Sequence, residues 1–116
     1  MQAVEGQRRF DKLLHKYNNK ELIHEMLAIL IRDLPKSLEE LETSLVQSNL
    51  PKARKAAHSL ANISGTVLET EILELSRKIE YACALQNLKE VESYLPPLKN
   101  QIQTLCLDAD KYLNNP

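Results

Sequence analysis

Glycine is scarce in this chain of 116 residues, which contains only Gly6 and Gly65. A P-loop, a dinucleotide-binding G-x-G-x-x-G turn and a kinase glycine-rich loop each require several glycines at fixed spacing. The sequence has none of these motifs, so any nucleotide chemistry must take place on another protein. Few glycines and no alternation of apolar and polar residues also favour helices throughout.

Long apolar segments and a strong net charge are missing as well. The longest apolar run, Met26 to Ile31, is far too short to cross a bilayer, and the polar stretch from Met1 to Arg9 lacks the apolar core of a signal peptide. The 15 lysine and arginine residues nearly balance the 16 aspartate and glutamate residues. We therefore expect a cytoplasmic protein with no membrane insertion and no nucleic-acid partner.

Cysteine is limited to Cys83 and Cys106, and each falls on the apolar stripe of a predicted helix. The two have neither C-x-x-C nor metal-ligand spacing, so we interpret them as buried, reduced thiols. The sequence also lacks an H-E-x-x-H metal motif and a nucleophile paired with a base. We therefore predict no metal site, no cofactor and no independent catalytic activity.

Apolar residues recur every three or four positions along most of the chain, which predicts amphipathic helices. A short helix is predicted from about Gln7 to Tyr17, followed by a long one whose leucines and isoleucines step from Ile23 to Leu45. The next three helices are predicted at about Pro51 to Gly65, Glu71 to Gln86 and Leu88 to Tyr112.

Prolines and asparagines mark bends and boundaries in this pattern. Pro35 should kink the second helix, and Pro96 with Pro97 should bend the last helix or split it into two. Asn18 and Asn87 each precede a glutamate by three residues, which is the spacing of a capping box.

The connections between the predicted helices are only a few residues long, which forces sequential helices to be antiparallel neighbours. The predicted fold class is all-α, an antiparallel up-down-up-down four-helix bundle with an additional short N-terminal helix. Residues 1–116 are expected to form a single domain with its core at about residues 8–113.

One histidine of the third predicted helix, His58, lies opposite the apolar stripe on a helical wheel and is predicted to be exposed. Its neighbours on that wheel are Arg54, Lys55, Ala61, Asn62 and Gly65. The two cations are expected to neutralise a phosphoryl group, and the small residues to leave room for a partner's active site. Imidazole is nucleophilic near pH 7 without an activating base, so this surface is a candidate phosphoryl-accepting site.

Other readings of single residues compete with this one. Gly65 is equally explained as the C-terminal cap of its helix. His15 and His24 are also predicted to be exposed, but neither has small and cationic neighbours, so we assign them no function.

The segment Ala56-Ala57-His58-Ser59-Leu60, followed by Ile63-Ser64-Gly65, resembles the signature of histidine-containing phosphotransfer (HPt) domains, roughly A-H-x-L-K-G-x-x-G-x-x-G. The likeness extends from about residue 8 to residue 113. It implies a phosphorelay carrier of a two-component system, in which His58 takes a phosphoryl group from an aspartate of one receiver domain and passes it to another. The implied partners are response-regulator receiver domains and a hybrid sensor histidine kinase, and the receiver supplies magnesium.

Three positions depart from that signature. The family usually has lysine three residues after the histidine and glycine four and ten residues after it, where this chain has Ala61, Asn62 and Leu68. Loss of the lysine should weaken the stabilisation of a phosphoryl group. Asn62 is expected either to hinder docking of a receiver or to donate a hydrogen bond to the phosphoryl oxygens.

Other cations are expected to compensate for the missing lysine. Arg54 and Lys55 lie one turn before His58. Lys78 is a further candidate, because a hairpin that turns near Thr66 to Glu69 brings it close to the level of the histidine.

Three functions therefore remain open. The first is an active phosphotransfer domain that uses His58. The second is a degenerate HPt-like domain that binds a receiver or kinase without carrying phosphate, as the departures at Ala61 and Asn62 suggest. The third is a generic helical scaffold or adaptor. The sequence does not decide between a free-standing protein and part of a hybrid sensor kinase.

Overall fold

The computed structural model describes residues 8–114, and the regular secondary structure within that range is entirely helical. Its five helices are α1 (Asp11–Tyr17), α2 (Lys20–Val46), α3 (Leu50–Thr66), α4 (Thr70–Ala84) and α5 (Leu88–Asn114). The predicted all-helical class is confirmed, and most helix ends lie within two residues of their predicted positions. The predicted start of the first helix at Gln7 lies outside the described residues.

Asparagine side chains cap the N-termini of the three longest helices. The side-chain oxygen of Asn19 accepts a hydrogen bond from the backbone N–H of Leu22, and Asn49 accepts one from Lys52, both at 3.1 Å. Asn87 begins α5 as predicted. The predicted cap at Asn18 is wrong by one residue, because Asn18 adopts a left-handed conformation that ends α1.

Proline interrupts neither long helix. Helix α2 continues through Pro35, and α5 continues through Pro96 and Pro97, so the last helix is not split in two. The other predicted outcomes, a bend in α5 and a kink at Pro35, stay predictions. In α5, the two carbonyl groups that lose their hydrogen-bond donors belong to Glu92 and Ser93, which are exposed. Water can satisfy those carbonyls, and the apolar face of α5 remains packed on the core.

Each of the four long helices packs against two others. Helix α3 lies between α2 and α4, and α5 contacts both α4 and α2, so the four helices enclose one core. Leucine and isoleucine side chains fill most of it, whereas the buried positions of α3 are largely alanine. Small side chains let a neighbouring helix approach closely, which matters for the site described below.

The N-terminal segment lies across one end of these helices. Phe10 is buried and meets the ring of Tyr112 edge to face at 5.3 Å. The Arg9 guanidinium contacts Glu69, in the connection between α3 and α4, at 2.7 Å and Asp108 of α5 at 3.0 Å. Burial acts to lower the pKa of Arg9, but the two carboxylates outweigh it and hold that pKa above its ordinary value.

Both cysteines are free thiols, and Cys83 is buried as predicted, whereas Cys106 was predicted to be buried and is only half-buried. Within residues 8–114, none of the helices combines the length and the apolar character that a bilayer crossing requires.

Candidate functional site

His58 lies near the middle of α3 and points away from the core. Its side chain is 60% exposed, so the predicted exposure is confirmed. The neighbouring buried positions Ala57 and Leu60 anchor this part of the helix in the core. A rigid, fully helical backbone therefore presents the imidazole to solvent.

A carboxylate of α4 holds one nitrogen of this imidazole. The Nδ1 atom of His58 lies 2.9 Å from Oε2 of Glu80, whose side chain is 24% exposed. An ionised carboxylate only accepts hydrogen bonds, so the contact places a proton on Nδ1, and in the neutral imidazole the lone pair is then on Nε2. The arrangement fixes both the tautomer and the direction of the ring.

The sequence interpretation missed Glu80. A signal was present, because the hairpin that was expected to bring Lys78 to the level of His58 places Glu80 only two residues further along α4. Which of these side chains faces α3 depends on the rotation of α4 about its axis, which the spacing alone does not give.

Small residues on α3 allow α4 to come this close. Ala53, Ala57, Ala61 and Gly65 recur at every fourth position of α3, and the three alanines are buried. A methyl group added at Gly65 would lie 3.8 Å from a methyl carbon of Leu73 in α4, an ordinary packing distance. The close approach of the two helices brings Glu80 within hydrogen-bond distance of the histidine.

The environment of Ala61 differs from the predicted one. It was expected to lie open beside His58, but it is only 4% exposed, so that expectation is wrong. The helical wheel assumed a single apolar stripe, whereas α3 packs against both α2 and α4 and so buries a wider face. Ala61 is a small side chain on the packed face of α3 and provides no clearance for a partner.

Gly65 is half-buried within α3 and does not cap it. The helix ends at Thr66, its C-cap is Val67, and the left-handed residue that follows is Leu68 with φ 61°. The alternative reading of Gly65 as a C-terminal cap is wrong, since the turn uses Leu68 for the conformation that glycine favours.

An open cavity of about 660 Å³ adjoins the histidine. It lies between the first half of α3, including Arg54 and Lys55, and the last turns of α4, including Glu80 and Cys83. The structure thus brings the two predicted cations to the same cavity as His58. Burial raises the pKa of the Cys83 thiol, the charge of Arg54 opposes the rise, and that of Glu80 adds to it.

Two other candidates lie apart from this cavity. The ammonium group of Lys78 stands 5.6 Å from the ring centre of Tyr94 in α5, so its placement does not support a role beside the histidine. Asn62 is exposed on α3, and its backbone carbonyl accepts a hydrogen bond from Thr66. Its two predicted roles, hindering a receiver or bonding a phosphoryl group, stay predictions.

The remaining histidines differ from His58 in their surroundings. His15 is exposed near the end of α1. His24 was predicted to be exposed but is half-buried, with its ring 5.5 Å from the ring of Tyr112. Of the three histidines, all within the part of the chain that the structure describes, His58 alone forms a hydrogen bond with a carboxylate from another helix.

These features define an all-helical protein that holds an exposed, oriented histidine on one face. The model of the Hpt domain family matches residues 25–108, well over half of the chain, and the protein belongs to this family. Hpt domains act in two-component phosphorelays, where they carry a phosphoryl group on histidine, interact with receiver domains and have no ATP site of their own. Comparison with curated proteins and with solved structures gave no match.

Proposed function

We propose that this protein is a phosphorelay carrier that accepts a phosphoryl group on His58 from the aspartate of one response-regulator receiver domain and passes it to another. The observation that carries the proposal is the exposed imidazole whose Nδ1 is held by Glu80, because this contact leaves Nε2 as the free nucleophile. Membership of the Hpt family supports the same role.

The transfer is a displacement at phosphorus. Nε2 of His58 attacks the phosphorus atom of the aspartyl phosphate, the P–O bond to the aspartate breaks, and its electron pair leaves with the carboxylate. The ring becomes a cation with its proton on Nδ1, and the Glu80 carboxylate stabilises that charge. Transfer to the next receiver reverses these steps, with the imidazole as leaving group.

Neighbouring and partner groups supply the rest of the chemistry. Arg54 and Lys55, one turn before the histidine, neutralise the phosphoryl oxygens, and the receiver supplies magnesium. A hybrid sensor histidine kinase is the proposed origin of the phosphoryl group, and the cytoplasm is the proposed location. The cavity that the two cations share with His58 supports their part.

The up-down-up-down order of antiparallel helices belongs to the same proposal. His58 meets Glu80, while Gly65, seven residues later in α3, faces Leu73, seven residues earlier in α4. Contacts that progress in opposite directions along two helices support an antiparallel pair. The connections, three residues each between the long helices, support the same order for the others.

Label transfer tests the proposed function. The protein is mixed with receiver domains of its source organism that carry radiolabelled aspartyl phosphate, with magnesium present. Wild type and His15→Gln are expected to take up acid-labile label equally, and His58→Gln is expected to take up none. Label that persists in His58→Gln, or no uptake by wild type from any receiver, would contradict the proposal.

A degenerate domain that binds without carrying phosphate is the alternative. It is favoured by the departures at Ala61 and Asn62, which remove the charge and the glycine that the family usually has. The alternative predicts tight binding of a receiver with no label on wild type, and gain of label in the Asn62→Gly variant, which restores the glycine at an exposed position. Label on wild type equal to that on Asn62→Gly would exclude it.

A further inference from the structure

The cavity beside His58 has an apolar floor. Leu50 and Pro51 contribute to it from the start of α3, and Cys83 and Ala84 from the end of α4. Its volume of about 660 Å³ is ample for a bulky side chain of a partner. An apolar floor next to a reactive polar group suits a protein partner that inserts an aliphatic residue.

The rim of the cavity is basic. Helix α3 contains Lys52, Arg54 and Lys55 in its first two turns, and no aspartate or glutamate occurs from residue 50 to residue 66. All three cations are exposed, and Arg54 and Lys55 line the cavity. The carboxylate of Glu80 is engaged by His58, so the open charges favour a partner whose surface is acidic.

On the other side of His58, towards the end of α3, there is no comparable opening between α3 and α4 among the residues that the structure describes. Towards the end of α3, Ala61 is buried, and Gly65 packs near Leu73 of α4. The two helices therefore meet there and leave little depth between them. The cavity that can hold an inserted side chain lies on the other side of His58, towards the start of α3.

Exposed apolar side chains occur in the chain on both sides of the cavity residue Ala84. Tyr81, Leu85 and Leu88 are 66%, 58% and 44% exposed, and they flank Ala84 at the end of α4 and the start of α5. Isolated exposed apolar residues are common, but three within eight positions beside a cavity indicate an interaction surface. Tyrosine is also enriched at such surfaces.

We infer that a receiver domain docks over the start of α3 and the end of α4, with one aliphatic side chain in the cavity and its acidic phospho-acceptor face against Arg54 and Lys55. The inference rests on the proposed function and adds the side from which the partner reaches His58. A receiver's acceptor aspartate and its magnesium-binding carboxylates provide the acidic face that this rim complements.

Charge substitutions on the two sides of His58 test this docking surface. Ala84→Glu places a larger, negatively charged side chain in the cavity. Thr66→Glu places the same side chain towards the end of α3. Ala28→Glu is a matched control at an exposed position of α2. The probe is the magnesium-loaded receiver domain that exchanges phosphoryl with wild type, and titration calorimetry measures its dissociation constant. Ala84→Glu is expected to weaken binding at least about tenfold, and the other two to change it less than about twofold.

Each contrary outcome has a distinct meaning, provided that circular dichroism shows all variants folded. Weakening by Thr66→Glu with none by Ala84→Glu overturns the inference, while phosphotransfer itself stands. If Ala84→Glu changes the oligomeric state but leaves receiver binding unaltered, the cavity is an interface with a second copy of this chain. That result also overturns the inference. If no receiver exchanges phosphoryl with wild type, the proposed function fails and this inference falls with it.

Discussion

At the scale of single residues, the hydrogen bond from His58 Nδ1 to Glu80 determines which ring nitrogen can react. Neutral imidazole has two tautomers, and only the one with its proton on Nδ1 keeps a lone pair on Nε2. The carboxylate favours this tautomer and holds the ring by Nδ1, while the side chain as a whole is 60% exposed. Under the proposed function, Glu80 is therefore a positioning residue that also stabilises the charged, phosphorylated ring.

Replacement of Glu80 separates these two effects. Glu80→Ala removes a hydrogen bond worth about 1 kcal/mol, which corresponds to an approximately fivefold slower phosphoryl uptake. Glu80→Gln keeps an acceptor oxygen without the charge and is expected to recover most of the rate. Nitrogen-15 NMR of the imidazole should show the Nδ1–H tautomer in wild type and Glu80→Gln, and a mixture in Glu80→Ala. Identical spectra and rates for all three proteins would contradict the positioning role.

The sequence predicted His58 and its two cations but not Glu80, for a physical reason. Exposure of His58 and proximity of Arg54 follow from the geometry of one helix, which spacing specifies. The contact with Glu80 depends on the register and rotation of α4 against α3. Side-chain packing at many positions sets that register, so the resemblance to a family indicates the hairpin but not the partner of the histidine.

At the scale of helices, small residues on α3 set its distance from α4. Helical periodicity predicted the helices themselves, because apolar residues at every third or fourth position specify them. The burial of Ala61 was not predictable from one apolar stripe, since α3 is covered by two neighbours. The sequence left two outcomes open at Pro96 and Pro97, a bend or a split, and α5 is continuous there because packing of its apolar face outweighs the lost hydrogen bonds.

Enlarging Ala61 tests this account of the helix pair. Ala61→Leu forces bulk between α3 and α4 and is expected to lower the free energy of unfolding by about 1–3 kcal/mol. It should also separate Glu80 from His58, so the Nδ1–H tautomer is lost. Asn62→Leu is the matched control at an exposed position, with an expected change within about 0.5 kcal/mol. Urea denaturation measures both, and equal stability of the two variants would show that Ala61 does not set the spacing.

At the scale of the whole molecule, the N-terminal segment lies at one end of a body 43 Å long, whereas the cavity beside His58 extends from the middle of α3 towards the other end. Arg9 contacts Glu69, in the connection between α3 and α4, and Asp108 in α5. The cavity at His58 extends instead to Pro51 and Gln86, next to the connections before α3 and after α4. The N-terminal contacts therefore stabilise the bundle without touching the site.

Replacement of Arg9 tests this division of roles. Arg9→Met keeps much of the aliphatic packing but leaves two partly buried carboxylates unpaired, so it is expected to cost about 2 kcal/mol of unfolding free energy. Arg8→Met, at the exposed neighbouring arginine, should change it by less than about 0.5 kcal/mol. Phosphoryl uptake on His58 should be equal in both variants under conditions where both are folded. A specific loss of uptake in Arg9→Met would show that the two ends are coupled.

The most direct test of the central claim is to locate the phosphoryl group by phosphorus-31 and nitrogen-15 NMR after transfer from a receiver domain. The hydrogen bond between His58 and Glu80 predicts one phosphoryl group per chain, bonded to Nε2 of His58, with a proton retained on Nδ1. A phosphoryl group on Nδ1, on His15 or His24, or on no histidine would contradict the account.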